Sequence, residues 1–168
     1  MLDQFVLRKA RTSGFYRWLF NVMLDRMIPF NKPHGFRVHA FTDHGVVACM
    51  PYRRRNLNHI RGLHACGLAT LTEFTSGLAL IIHLDSKKYR IILQRLEMDY
   101  HYQGKMDAFA SFEVLPEWLE SNVLRPLESA GSVVVPCEVA IKDTDGNHLT
   151  TGKVFWQIKP WSNVRTKA

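Results

Sequence analysis

From Gly67 to His83 the chain runs without a proline, and leucines at 68, 71, 78 and 80 with alanines at 69 and 79 favour one long helix. The helix is apolar on nearly all sides, so it needs a wrapper. Glu73 is its only carboxylate, and an ionised carboxylate in or beside a core is costly unless it is paired or neutralised. It has either a structural partner, such as a buried Arg95, or a chemical role.

The flanking segments supply the wrapper. FRVHAFT (36–42) and VVACMPYR (46–53) flank Asp43-His44-Gly45, a short hairpin signal. Beyond the helix, strands are predicted over Tyr89–Tyr102 and Met106–Leu115 across Gly104-Lys105, then over 132–142 and 148–158 across Asp143–Asn147. Pro116 opens a short helix between the two pairs, reaching to about Glu128. Val133, Val135, Cys137, Val139 and Ile141 alternate with a face that carries Ser132, Glu138 and Lys142, as a half-buried strand should. At the front, Phe15, Trp18, Leu19, Val22, Met23 and Arg26 fall at helical spacing after Ser13, a suitable N-cap, so one or two amphipathic helices should cover a sheet edge or rim, which is favoured over a membrane-surface role. The order implies a single α+β domain over 1–168, with a helical extension (1–34) before a core (35–160) in which an antiparallel sheet curls around the long helix.

With 168 residues and 46% apolar content the chain can bury a sizeable core. Its net charge of +7 points to an anionic partner, which could be nucleic acid, a membrane surface or a phosphate-bearing ligand. Aromatic and basic residues do not interleave on one strand face, which ranks nucleic acid last. Three widely spaced cysteines read as free thiols in a reducing compartment, and neither they nor the histidines have metal-ligand spacing. Arg8, Lys9 and Arg11 interrupt the N-terminal apolar residues before any signal-peptide run, so a cytoplasmic location is expected, with no membrane insertion and no cofactor. Asp143-x-Asp145-Gly146 lacks the closing glutamate of a calcium loop and is read as a hairpin turn.

Asn58, His64 and Glu73, set in this order of elements, resemble the hotdog-fold acyl-CoA thioesterases. The likeness is to the phenylacetate-type group and, in the wider superfamily, to a branch with a helical N-terminal extension. That group has an asparagine, a His-Gly-Gly turn six residues on, and an Asp or Glu nine residues after the histidine. Both intervals are kept here, but Ala65 and Cys66 replace the two glycines. The resemblance implies hydrolysis of an acyl-CoA or acyl-carrier thioester, with Glu73 as base or nucleophile and backbone N–H groups near Ala65–Gly67 stabilising the oxyanion. Asn58, His64 and Cys66 would complete the turn, with Cys66 able to narrow or block it. His59, Ala65, Thr75 and Ser76 would line the substrate site. Arg53, Arg54, Arg55 and Arg61, with Lys87, Lys88 and Arg90, would cradle the phosphates of coenzyme A.

Nine residues of helix put His64 about 13 Å along the axis from Glu73 and half a turn round. One helix cannot bring both groups to one carbonyl, so the catalytic reading calls for a homodimer, with tetramers open. Plainer roles stand beside these: Asn58 as a turn residue, His59 and His64 as loop residues, the hydroxyls bonded to the carbonyl four residues back, and the cations as a solvated rim. Other functions also stand open. A non-catalytic acyl-CoA-binding hotdog protein is one, and a dehydratase or hydratase another, although Arg55-Asn56-Leu57-Asn58-His59 lacks the aspartate and proline of the hydratase motif.

Overall fold

A computed structural model of the chain describes residues 4–165. The expected wrapper is present. β1 (Arg37–Phe41), β2 (Gly45–Met50), β3 (Tyr89–Tyr100), β4 (Ala108–Glu113), β5 (Val133–Asp143) and β6 (His148–Pro160) form one antiparallel sheet around α3 (Ala65–His83). Leu71, Thr72, Thr75, Ser76, Ala79 and Leu80 on α3 are fully buried. Each fully buried leucine contributes about 1.5–3 kcal/mol. Among the described residues α3 alone is long and apolar enough to cross a membrane, and here the sheet covers one face of it.

The strand order is β1-β2-β4-β5-β6-β3. β1 with β2, and β5 with β6, are the hairpins expected. Asp143 closes the second: Oδ1 accepts from the N–H groups of Asp145 and Asn147, and Gly146 takes φ +84°. Tyr89–Tyr102 and Met106–Leu115 do not pair with each other, contrary to the hairpin reading of Gly104-Lys105. β3 pairs with β6 and β4 with β2 and β5, so the chain crosses from one end of the sheet to its middle. Gly104 lies in that crossing, where its carbonyl accepts from Leu63 N–H and a Cβ would meet a Leu149 methyl carbon at 2.8 Å.

The helix after Pro116 is broken into α4 (Pro116–Leu119), a π-helical turn (Glu120–Leu124) and α5 (Arg125–Ser129). Pro126 has no N–H for the ladder, and Arg125 N–H reaches back to the Glu120 carbonyl instead.

α1 (Gln4–Ala10) and α2 (Gly14–Met27) form the N-terminal extension. Ser13 sits at the N-cap position of α2 but makes no side-chain cap bond. The extension covers the edge of β1: Asn21 Nδ2 donates to the Val38 carbonyl at 3.0 Å, and Val38 N–H donates to Asn21 Oδ1 at 2.7 Å. One carboxamide does the work of a neighbouring strand. At the other end of the sheet β3, twelve residues long and carrying half-exposed Ile92 and Leu93, pairs with β6 on one side and has no strand beside its outer edge among the described residues.

Candidate functional site

The start of α3 is built by the loop from Pro51 to His64. Tyr52 donates its hydroxyl to the Arg61 carbonyl at 2.7 Å, and Asn58 Oδ1 accepts from Ile60 N–H and Gly62 N–H. Asn58 is thereby committed to shaping its own turn, in which Arg61 takes the left-handed φ of 60°. His59 is exposed in the same turn.

A residue that sequence reasoning passed over ties this loop to the extension. Asn56 is 3% exposed; its Nδ2 donates to the carbonyls of His34 and Pro51, and its own carbonyl accepts from His64 N–H. Those two donations assign Oδ1 as the acceptor facing His34 Nδ1 at 3.1 Å. His34 therefore carries its proton on Nδ1, and when the ring is neutral its Nε2 is an acceptor. Arg53 and Arg55 add to the same join: Arg53 Nε donates to the His34 carbonyl and Arg55 Nη1 to the Pro33 carbonyl. The Arg53 guanidinium packs over Gly35, whose φ of 67° and lack of a side chain the turn requires.

His64 is the N-cap of α3, and its Nδ1 accepts from Cys66 N–H at 3.1 Å. Of the three N–H groups expected to serve a developing oxyanion, that one is already occupied. Ala65 N–H and Gly67 N–H have no acceptor among the described residues, and both stand at the positive end of the helix dipole. Tyr100 reaches across from the end of β3 and donates its hydroxyl to the Ala65 carbonyl at 3.1 Å. Burial first, and then the nearby Cys66 sulfur, push its phenol up.

Two clefts flank this helix start. A cavity of about 260 Å³ lies on the side of the extension, lined by Phe30, His34, Phe36, Cys66, Gly67 and Thr70 among others. A more open one, of about 340 Å³, includes Asn58, Ala65 and Tyr100. The predicted turn residues are thus split: His64, Cys66 and Arg55 face the first cleft, Asn58 and Ala65 the second.

Glu73 lies further along the face of α3 that the sheet leaves uncovered, with Ala65, Cys66, Ala69 and Thr70. It is half-buried, and no hydrogen bond or ion pair reaches its carboxylate from the described residues. Burial alone raises its pKa above the usual carboxylate value. The arginine that could have neutralised it does something else: Arg95 is exposed, pairs with Glu97 at 3.1 Å and lies over the Phe155 ring.

Thr75 and Ser76, expected beside the carboxylate, face the sheet instead. Their hydroxyls donate to the carbonyls of Leu71 and Thr72, and Ser76 Oγ also accepts from Trp156 Nε1 at 3.0 Å. Thr75 lies about 200° round the helix from Glu73, and Ser76 about 60° round on the side that the sheet covers, whereas the same step taken the other way stays on the uncovered side. Thr70, three residues before it, is the hydroxyl on Glu73's own face.

The cations are not one cluster in a single chain. Arg53, Arg54, Arg55 and Arg61 stand at the start of α3, while Lys87, Lys88 and Arg90 follow its end, roughly 28 Å away by helix rise. Arg54 and Arg61 have no side-chain partner among the described residues, and Arg90 leans on Gln157 at 3.4 Å.

No curated protein is significantly similar in sequence. Solved structures are similar in fold. The Pseudomonas aeruginosa protein PA5026, described as of unknown function and a probable thioesterase, aligns with a TM-score of 0.77 at 21% identity, over 85% of this chain and 95% of that one. The Haemophilus influenzae thioesterase HI1161 aligns at 0.67 and 14% identity, over 83% and 90%. A mutant of the Staphylococcus aureus thioesterase SAV0944 aligns at 0.63 and 16%, over 79% and 99%. Identities this low establish the hotdog fold and leave the activity to be argued from the site. The family model described as "Domain of unknown function (DUF4442)" matches residues 16–158, from within α2 to near the end of β6, and the chain belongs to that family, on the hotdog fold it shares with these thioesterases.

Proposed function

We propose that the protein hydrolyses an acyl thioester of coenzyme A or an acyl carrier, with Glu73 as general base or nucleophile. One observation carries this reading: a half-buried carboxylate with raised proton affinity and no partner among the described residues sits on the open face of a helix whose first turn offers free N–H groups. Water activated at the carboxylate would attack the carbonyl carbon, and the developing oxyanion would be held by Ala65 N–H or Gly67 N–H.

Ala65 and Gly67 lie eight and six residues before Glu73 on the same helix, about 12 Å and 9 Å along its axis, so the site needs a second copy of the chain. β3 offers an unpaired edge, and edges of that length invite a partner. α3 and β3 are joined directly and run oppositely, with Tyr100 beside the helix start. Antiparallel pairing of two β3 strands would therefore set the α3 helices side by side in opposite directions. Glu73 of one protomer would approach a carbonyl held at the other's helix start. The same pairing would carry Lys87, Lys88 and Arg90 of one protomer toward Arg54 and Arg61 of the other, gathering the scattered cations around one set of phosphates. The cavity beside Cys66 would take the acyl group. At about 260 Å³ it exceeds the roughly 150 Å³ that encloses benzene in an engineered protein cavity, so a short-chain or aryl acyl group has room.

A second reading has its own support. The Cys66 N–H is occupied by His64, and Cys66 stands in the cleft where the resembled family has glycine, so an acyl-CoA-binding protein without turnover is the alternative. Thiol release from a panel of acyl-CoAs, with light scattering on the same samples, tests both. Turnover by a dimer supports the hydrolase, binding without thiol release supports the alternative, and a monomer at micromolar concentration that releases no thiol refutes the shared site.

A further inference from the structure

The apolar stripe that opens the chain is not spent on the core. α2 turns Phe20 and Leu24 inward, whereas Phe15 and Trp18 are 66% and 59% exposed, with Val22 and Arg26 on the same side. The Asn21 clamp on Val38 fixes the roll of the helix, so α2 cannot rotate to bury them. Phe15 and Trp18 rings lie 5.9 Å apart, Tyr16 joins them at 5.6 Å, and Phe5 of α1 extends the patch. Met27 and Phe30, exposed at the far end of the helix, prolong it toward the cleft.

The charge around this face names its partner. Residues 1–34 hold six basic side chains, Arg8, Lys9, Arg11, Arg17, Arg26 and Lys32, against the two acids Asp3 and Asp25, a net of +4 out of the chain's +7. Of these, Arg11 is already bonded to the Thr42 carbonyl and lies over the Phe41 ring. A second copy meeting this face about a two-fold axis would bring +4 against +4. An anionic bilayer surface instead offers negative headgroups to the cations and an interfacial zone that tryptophan and phenylalanine prefer. We infer that the N-terminal extension docks the protein on anionic membrane surfaces, with Phe15 and Trp18 entering the headgroup–acyl boundary and the arginines on lipid phosphates. No segment spans the bilayer in this arrangement. It is independent of the thioesterase reading, and its test does not use turnover.

The full chain is sedimented with vesicles of phosphatidylcholine containing 30% phosphatidylglycerol and with vesicles of phosphatidylcholine alone. Binding is expected only to the anionic vesicles, weakening as NaCl rises from 0.1 to 0.5 M, because Arg8, Lys9, Arg26 and Lys32 are exposed and screened. Phe15→Ser/Trp18→Ser should lower the partition coefficient about tenfold or more, since the apolar anchor is lost. Melting temperature and oligomeric state should not change, and Trp18→Phe should restore most of the binding. Absence of binding to anionic vesicles, or a double variant that binds like the wild type, overturns the proposal. A double variant whose oligomer dissociates also overturns it, by showing that a second copy covers the face.

Discussion

Replacing Glu73 by Gln removes the charge and keeps the shape, and the surroundings of the side chain set the sign of two separate effects. No partner among the described residues loses a bond, because Arg95 is committed to Glu97 and Phe155 on the exposed side of β3. No other carboxylate lies on α3 to take over as base. Turnover should therefore fall by the full general-base contribution, about 100- to 10,000-fold or about 3 to 5 kcal/mol of barrier. Stability should move the opposite way. Burial raises the folded-state pKa of Glu73 above the ordinary 4.5, so between that value and the folded pKa the native state binds more protons than the unfolded one. The wild type then loses stability as pH rises through this window, while the Gln variant has no such loss. At pH 7 the variant should melt at or above the wild-type temperature, and the gap should close as pH falls toward 4.5. Thermal unfolding from pH 4 to 8 and thiol release at pH 7.5 read the two effects. A variant that melts well below the wild type at pH 7 would expose a hidden ion pair, and wild-type turnover per folded molecule would remove Glu73 from the chemistry.

Asn56→Ala should cost about 2 to 4 kcal/mol, because it strands the His34 and Pro51 carbonyls and empties a buried site; chemical denaturation with an unchanged midpoint would refute the linchpin role. Ile92→Lys/Leu93→Lys on the open edge of β3 should turn dimers into monomers and abolish turnover together, as light scattering and thiol release on one sample would show. Cys66 is exposed, while Cys49 and Cys137 are buried with thiols pushed up to about 11 and about 12. N-ethylmaleimide should label one thiol rapidly and block the cleft, and Cys66→Ser should abolish both effects; mass spectrometry locating the adduct elsewhere would refute this. Gly77→Ala places a Cβ 2.7 Å from the Trp156 ring, which the Ser76 hydroxyl holds in place, so overpacking of about 1 to 3 kcal/mol should outweigh the roughly 1 kcal/mol gained in helix propensity.

What the sequence determined by itself was local or periodic. An unbroken apolar segment becomes a core helix because its sides must be covered, and the alternation over Val133–Ile141 becomes a half-buried strand because side chains on a strand alternate faces. Glu73 stood out because a lone carboxylate among leucines has to be explained. Three matters were settled only by tertiary structure, since each depends on which distant segments meet. Consecutive strands β3 and β4 were separated because the sheet placed β2 and β5 beside β4, and no local signal at Gly104 encodes that choice. The stripe of Phe15 and Trp18 faces outward because Asn21 finds the backbone of Val38, seventeen residues on, and so sets the roll of α2. Thr75 and Ser76 were chosen as neighbours of Glu73 in number, but helical phase and the indole of Trp156, eighty residues beyond Ser76, turned them into the core. Asn56 and His34 escaped notice for the same reason: each is an ordinary polar residue until the extension and the loop before α3 close on one another.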